Sequence, residues 1–547
     1  MSDTITAPVA VADVCDLAGR LADLGVLLDP EPHLGHVGTY TGVDWNPERT
    51  QPGHLHVNVY RNDRRALEAV RQAVTAGATA VCWATAPTPL PADLSALLRS
   101  RRVALLRVTD QRRAFSLASA LLHRFPGDRL TSVGITGTNA KTTTAIMLSA
   151  CLQRAGIANG LSTSLAAAVG STLLPPGLST PDPPQLQELL ARFVGAGATH
   201  AVVEASSQGL SDLRLADVPF SVGVCTTIGP DHLDVHGSDE AYRRAKRMLF
   251  DGLGPDGFAI YNADEADVVE VAAGTGAVDV PVGTGEDAVA RRQGPRLRFT
   301  AELAERCGGE PCTVNLATPW IEGHDLTSAA LAATAAFVWG AGPEDIEAGL
   351  GDFVGLPRRL SVVATRPFVV VDDMFNAHSA ATTVERRLRT LRDTTSRLLC
   401  GVAVRGNRGV DTNAEQGDLL GRALTNLDAD EVHLTRSIEV VGPADRASDA
   451  EYEAILDGLR SWGLRVTVHA QLDTLVDAMY AGARPGDLLA FVGHTGMEPA
   501  VGLLRERLAA TGRRGRRLAA AFVDADDQIR TSTGRSPGTG TPPKGQP

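Results

Sequence analysis

Glycine, lysine and threonine fall at a spacing suited to holding phosphate: residues 134–144 read Gly-Ile-Thr-Gly-Thr-Asn-Ala-Lys-Thr-Thr-Thr. Residues 130–135 have strand character, and residues 142–155 are rich in good helix formers. The turn therefore opens a helix whose first N–H groups and positive dipole end face an anion. Gly137, Thr138 and Asn139 form that turn. Lys141 can reach terminal phosphates, the Thr142 hydroxyl can face a magnesium ion, and Thr143 follows in the first helical turn. The last loop glycine expected before the lysine is replaced by Ala140. If that position requires φ > 0, an alanine is strained there.

Other chemically capable groups sit at the ends of other strand-like segments. Glu204 closes the apolar run Ala201-Val202-Val203 and precedes Ala205-Ser206-Ser207. A carboxylate at the C-terminal end of a parallel strand beside a phosphate loop is placed to hold magnesium, directly or through water. A further strand leads into Thr226-Thr227-Ile228-Gly229-Pro230-Asp231-His232-Leu233-Asp234-Val235-His236-Gly237. Downstream runs Ala241-Tyr242-Arg243-Arg244-Ala245-Lys246-Arg247-Met248-Leu249-Phe250. Singly, His232 and Asp234 read as loop caps and Lys246 as a solvated helix face. Together and in this order they read as a site.

These groups need a scaffold to bring them together. The 547 residues exceed one ordinary core and suit about three domains. The expected fold is α/β. A small N-terminal α/β domain spans 13–127, and a central P-loop parallel sheet wrapped by helices spans 128–357. A doubly wound, Rossmann-like sheet spans 358–525, and a Gly-, Pro-, Ser- and Thr-rich tail at 526–547 is expected to be disordered. Central strands are predicted at 130–136, 199–205, 221–227 and 257–262. Those of the third domain are predicted at 367–372, 397–403, 429–434, 464–468 and 487–492, alternating with helices. The net charge of −12 leaves no basic footprint for nucleic acid or an anionic membrane. No run approaches the ~20 apolar residues of a membrane span. Seven scattered cysteines argue against a disulfide framework. No basic segment followed by an apolar stretch marks the N-terminus as a secretory signal. A cytoplasmic monomer is expected.

The Gly-Thr-Asn-x-Lys-Thr-Thr loop, the Glu-x-Ser-Ser strand end, the Asp-His-Leu-Asp-x-His-Gly loop and the Ala-Lys-x-x-Leu-Phe helix together resemble the Mur ligase family. These are ATP-dependent amide-forming enzymes that build the peptide stem of peptidoglycan. The nearest branch looks like the one that adds the third residue to UDP-N-acetylmuramoyl-Ala-Glu. Ser179-Thr180-Pro181-Asp182 is similar to that branch's substrate-contacting Thr-Thr-Pro-Asp. Gln51-Pro52-Gly53 and Val108-Thr109-Asp110-Gln111-Arg112 resemble its UDP-binding domain. The resemblance implies ATP and Mg²⁺ as cofactors, with Lys141 and Thr142 on phosphates and metal. Glu204, His232 and Lys246 would lie around the metal, and Lys246 matches a lysine carbamylated in many members. Arg359 would face the nucleotide at a hinge. Asp372, Asp373 and Asn376 resemble the Asp-Asp-x-Tyr-Asn-Ala-Asn-Pro motif of the sister ligase that adds the terminal dipeptide. These groups would close over ATP when the domains swing together. Ser179, Thr180, Pro181, Ser206, Ser207, Gln208 and Arg214 would contact the acid substrate, a UDP-linked peptide or other small carboxylate, which is joined to an amino acid.

The chain also departs from the family pattern. Gln208 stands where the family has His in Ser-Ser-His-Gly-Leu. Leu326 and Ala329 replace two asparagines that contact the nucleotide. The Asp-Asn-Pro-Arg motif that marks diaminopimelate-adding members is absent, with Leu434-Thr435-Arg436-Ser437-Ile438-Glu439-Val440 in that region. Asp44-Trp45-Asn46 stands where the UDP-contacting Asp-Ser-Arg is expected. The reading is a carboxylate–amine ligase acting through an acyl phosphate. Alternatives are a specialised natural-product ligase of the same type and a catalytically weak nucleotide-binding scaffold.

Overall fold

The computed structural model describes residues 10–28, 38–60, 63–84, 91–170, 172–174, 177–229, 231, 233–318, 325–374, 384–386, 388–389, 391–392, 395–493, 495–523 and 525–533. The chain divides into two compact units. One runs to Phe353, and the other spans Val354–Ser532.

The first unit holds two main sheets. Its N-terminal sheet has four parallel strands in the order Gly42–Asp44, His54–Val57, Ala80–Ala84 and Ala104–Val108. The helix Gln111–Leu122 packs on it, started by Asp110, whose carboxylate accepts from the N–H groups of Arg112 and Arg113. Among the described residues the larger sheet has eleven strands. At its centre Thr131–Thr136 lies between His200–Glu204 and Phe220–Cys225, parallel to both. Asn159–Ser162, Phe258–Asn262 and Val278–Gly283 continue the parallel core. The predicted central strands are all present. The expected parallel sheet carries antiparallel additions at its edges: Ala167–Val169 and Thr172–Leu174 on one side, and Arg296–Phe299 and Thr313–Asn315 on the other. These strands are short and half exposed, so they lack the continuous apolar signal of a buried parallel strand.

The helix Lys141–Arg154 follows the central strand and is buried from Thr142 to Leu152. The alanine-rich Asp325–Val338 and the helix Pro343–Gly351 pack against it. Gly349 permits the closest approach, because a Cβ there would lie 2.4 Å from the Cα of Cys151.

Among the described residues the second unit holds a six-stranded sheet in the order Ser361–Ala364, Val369–Asp373, Leu488–Val492, Leu398–Ala403, Glu431–Thr435 and Val466–His469, with only the first strand antiparallel. Five of these strands follow the sequence expectation, the antiparallel edge strand Ser361–Ala364 was not expected, and buried aliphatic residues line both faces. The tail expected at 526–547 requires correction. Ala525–Ser532 is helical, because Gln528 donates to the carbonyl of Val354 (3.2 Å) and Ser532 to that of Gly355 (2.8 Å), which anchors an otherwise polar segment. The rest of that tail beyond residue 533 lies outside the described residues.

Candidate active site

Strand register sets the geometry of the site. Glu204 pairs with Ile135 and Cys225 with Thr136, so Gly137, Glu204 and Thr226 emerge at one C-terminal sheet edge. This is where the chain's crossovers diverge to either side of the central strand, the usual location of ligands in such sheets. Gly137 has φ 142°, and a Cβ on it would fall 1.9 Å from Thr226 Oγ1. Only glycine lets the loop pass beneath that strand end. The loop is then tied down. Thr138 N–H donates to the Thr227 carbonyl at 2.7 Å, Thr226 Oγ1 donates to the Asn139 carbonyl at 2.6 Å, and Thr138 Oγ1 meets Tyr242 Oη at 2.9 Å. Ala140 adopts φ 66°, ψ 0°, the left-handed conformation anticipated from the missing glycine.

Two lysines converge on the loop. Lys141 Nζ donates to the carbonyls of Gly137 (2.9 Å) and Thr138 (3.0 Å). Lys246 Nζ donates to the same Gly137 carbonyl at 2.9 Å and lies 4.5 Å from the centroid of the Tyr242 ring. Lys246 is 1% exposed on the helix Asp239–Asp251, so a solvated helix face is ruled out. Burial, joined by the neighbouring Lys141 charge, pushes Lys246 down to about 7, against opposing pulls from Cys225 and Asp231.

Glu204 is buried at the end of its strand. Thr142 Oγ1 donates to its Oε1 at 2.6 Å, and the Ser164 N–H donates to its Oε2 at 2.5 Å. Ser164 Oγ lies 3.1 Å from Thr142 Oγ1. A carboxylate and two hydroxyls make a hard oxygen set beside a phosphate loop, which suits Mg²⁺ held partly by the nucleotide and water. Among the described residues there is no cluster of three or more His, Cys, Asp or Glu able to form an all-protein metal cage. Thr143 is buried in the first helical turn, and Asn139 is exposed on the loop.

The acid-side candidates connect to Glu204 through its backbone. Thr180 Oγ1 donates to the Glu204 carbonyl (2.8 Å) and accepts from Ser206 N–H (2.9 Å). Ser206 Oγ caps the short helix Ser207–Ser211 by accepting from Gly209 N–H. Ser207 Oγ lies 3.0 Å from His236 Nε2. Ser179 and Pro181 are half-buried on either side of Thr180, and Gln208 is exposed. Arg214 donates to the Thr180 carbonyl at 3.0 Å and pairs with Asp212 (3.2 Å) and Asp182 (3.4 Å).

His232 and Asn376 lie outside the described residues. The other third-domain candidates belong to the second unit. Within it Asp372 is buried and is pushed up to about 6, burial outweighing the pull of Arg358. Arg358 Nε lies 3.4 Å from Asp372 Oδ1, and Asp373 accepts from the Leu360 N–H at 3.0 Å. Arg359 is exposed. Sequence reasoning passed over Ser164, Thr226 and Tyr242 as site residues. Tyr242 was within reach: it sits four residues before Lys246, hence on the same helix face. Ser164 carries no such signal.

A strand, glycine loop and helix whose lysine and threonine adjoin a buried carboxylate on the next strand define a P-loop nucleotide-binding α/β protein. The Mur ligase middle domain matches residues 135–317, and the Mur ligase glutamate ligase domain matches residues 358–495. The UDP-N-acetylmuramyl-tripeptide synthetase of Deinococcus radiodurans is 30% identical over 502 residues, covering 86% of this chain and 95% of the relative. The UDP-N-acetylmuramoyl-L-alanyl-D-glutamate–2,6-diaminopimelate ligase of Chlorobium phaeobacteroides is 29% identical over 459 residues, covering 81% and 85% respectively. The crystal structure of MurF from Acinetobacter baumannii shares the fold, with a TM-score of 0.61 at 20% identity, over 91% of this chain and 100% of that one. The chain belongs to the Mur ligase family, the ATP-dependent amide-forming ligases.

Proposed function

We propose that this chain joins the carboxylate of a UDP-muramoyl peptide, or a closely related acid, to the amine of an amino acid, using ATP and Mg²⁺ through an acyl phosphate. The observation that carries the reading is the convergence of Lys141 and Lys246 on the Gly137 carbonyl beside the Thr142–Glu204 pair. A substrate carboxylate oxygen attacks the γ-phosphorus and ADP leaves. The amine then attacks the acyl carbon, and inorganic phosphate departs as the C–N bond forms. Two polyanions must approach each other, so Lys141 and the loop N–H groups offset charge and fix the line of attack. Thr142 and Glu204 would hold magnesium, which when bound supplies Lewis-acid neutralisation of the phosphate oxygens.

Lys246 supports a further assignment. Its amine, held near a pKa of about 7, is in part neutral and so nucleophilic toward CO₂. Addition with loss of one proton gives the carbamate expected from the family resemblance. Thr180, Ser206 and Arg214 are proposed for the acid, with Ser179, Pro181, Ser207 and Gln208 around them. Asp372, Asp373 and Arg359 are proposed nucleotide contacts.

The Chlorobium relative is named for adding 2,6-diaminopimelate. An amine other than diaminopimelate is proposed here. The Asp-Asn-Pro-Arg motif is missing, and Arg436 in that region pairs with Asp449 and stacks 4.2 Å over the Tyr452 ring. The seven cysteines are all free thiols, and no helix among the described residues is long and apolar enough to cross a membrane. Both support a cytoplasmic setting, and a monomer is proposed. The test is ADP release with UDP-N-acetylmuramoyl-L-alanyl-D-glutamate and a panel of amino acids. Release with an amine other than diaminopimelate supports the reading, and no ADP above background with any amine rejects it.

A further inference from the structure

Arg214 is the one cation among the acid-side candidates, and both carboxylates that hold it are themselves held by residues of the N-terminal sheet region. Asp182 accepts from Trp45 Nε1 at 3.0 Å, and Asp212 is paired with Arg112, which also donates to the Ser211 carbonyl at 3.3 Å. Trp45 directly follows the strand Gly42–Asp44, and its ring is fixed edge-to-face against Tyr60 with centroids 5.9 Å apart. The contacts run on without a break. Asp182 faces Arg214, Arg214 donates to the Thr180 carbonyl, and Thr180 Oγ1 donates to the Glu204 carbonyl. Glu204 is the carboxylate that Thr142 of the phosphate loop contacts.

We infer that Trp45 is a positioning residue for the acid side of the site, acting through Asp182 on Arg214 and Thr180. The inference rests on the ligase reading for its consequence in catalysis, but not for the contacts themselves. The physical reason is geometric. The Asp182–Arg214 contact is long, at 3.4 Å, so it holds the carboxylate weakly. The indole N–H supplies the shorter bond, and the ring that carries it cannot swing away without losing Tyr60. Without that bond Asp182 is free to turn to water. Arg214 then keeps Asp212 and the Thr180 carbonyl but loses the constraint that aims it along the 179–182 segment. An arginine meant to meet a substrate carboxylate needs its fork pre-set, because side-chain ordering otherwise falls on the binding step.

The test is Trp45→Phe, which keeps an aromatic ring beside Tyr60 and removes the N–H donor together with part of the indole's bulk. With UDP-N-acetylmuramoyl-L-alanyl-D-glutamate as acid, KM for the acid is expected to rise about tenfold, while kcat and KM for ATP stay within about twofold. Asp182→Ala should raise the same KM, and the double variant should be no worse than Asp182→Ala alone, because removing the carboxylate takes away the acceptor that Trp45 donates to and the group that faces Arg214. A second readout needs no substrate. In Trp45→Phe, amide hydrogen exchange should quicken across 178–186 and 204–212 and stay unchanged across 131–145. Unchanged exchange in the first two segments, or additive effects in the double variant, overturns the inference. If the wild-type protein turns over no acid, the substrate reading fails on its own, and the exchange result still decides the role of Trp45.

Discussion

Ala140 offers the most direct quantitative test of the site's backbone. It caps the phosphate-loop helix with φ 66°, makes no side-chain capping bond, and its carbonyl accepts from Thr144 N–H at 2.9 Å. An L-residue with a Cβ costs roughly 1–2 kcal/mol in this conformation. Ala140→Gly removes that cost. Against it stands the larger freedom of glycine in the unfolded chain, about 0.4–1 kcal/mol. The net expectation is a gain of about 0.5–1 kcal/mol, or ~1–3 °C in the melting of the first unit. Ala140→Val should move the other way by ~1 kcal/mol or more, because a β-branched residue fits φ > 0 worse still. The assay is calorimetric melting and urea unfolding of nucleotide-free protein, with ADP affinity measured in parallel. ADP affinity of Ala140→Gly should hold within about twofold, since the loop already sits in the glycine-like conformation. A variant equal to or less stable than wild type, or no difference between Gly and Val, would refute the argument that this loop stores strain at Ala140.

Other outcomes follow from the same geometry. Gly137→Ala places a Cβ 1.9 Å from Thr226 Oγ1, so calorimetric titration should find ADP binding weakened by at least about tenfold, worth ~1.4 kcal/mol. Binding as in wild type would mean that the loop does not depend on that close passage. Glu204→Gln keeps the shape and removes the charge. Mg²⁺-dependent turnover should fall by about a hundredfold or more while the melting temperature changes little, and turnover near wild type would remove Glu204 from the metal site. Lys246 is lowered in the folded state, so from about pH 7 up to the ordinary lysine range the unfolded chain binds a proton the folded chain has released. Stability should therefore rise with pH across that window in CO₂-free buffer, by at most roughly 5 kcal/mol, and Lys246→Met should flatten the slope. Urea unfolding as a function of pH measures this, and an equal slope in both proteins would contradict it.

Much of this molecule is written locally. A glycine-rich turn between an apolar strand and a helix fixes its own conformation, and that made the phosphate loop and its Lys141 and Thr142 legible without coordinates. The alternation of apolar strands with amphipathic helices likewise placed the four central strands named in the sequence and the five parallel strands of the second unit, because burial of parallel strands demands continuous apolar runs, whereas the antiparallel edge Ser361–Ala364 was missed. Glu204 was legible for the same reason: a carboxylate ending an apolar strand is conspicuous. What the chain alone could not reveal is which distant atoms share a neighbourhood. That Lys246 is buried and meets the Gly137 carbonyl follows from how its helix docks. That Ser164 turns its N–H toward Glu204, and that Trp45 reaches Asp182 across 137 residues of sequence, follows from strand register and packing. The short antiparallel edges and the helix Ala525–Ser532 belong to the same class, since contacts with the rest of the fold, not their own composition, hold them in place. Local sequence sets dihedral preference and periodicity, whereas convergence of side chains depends on long-range closure that no short window encodes.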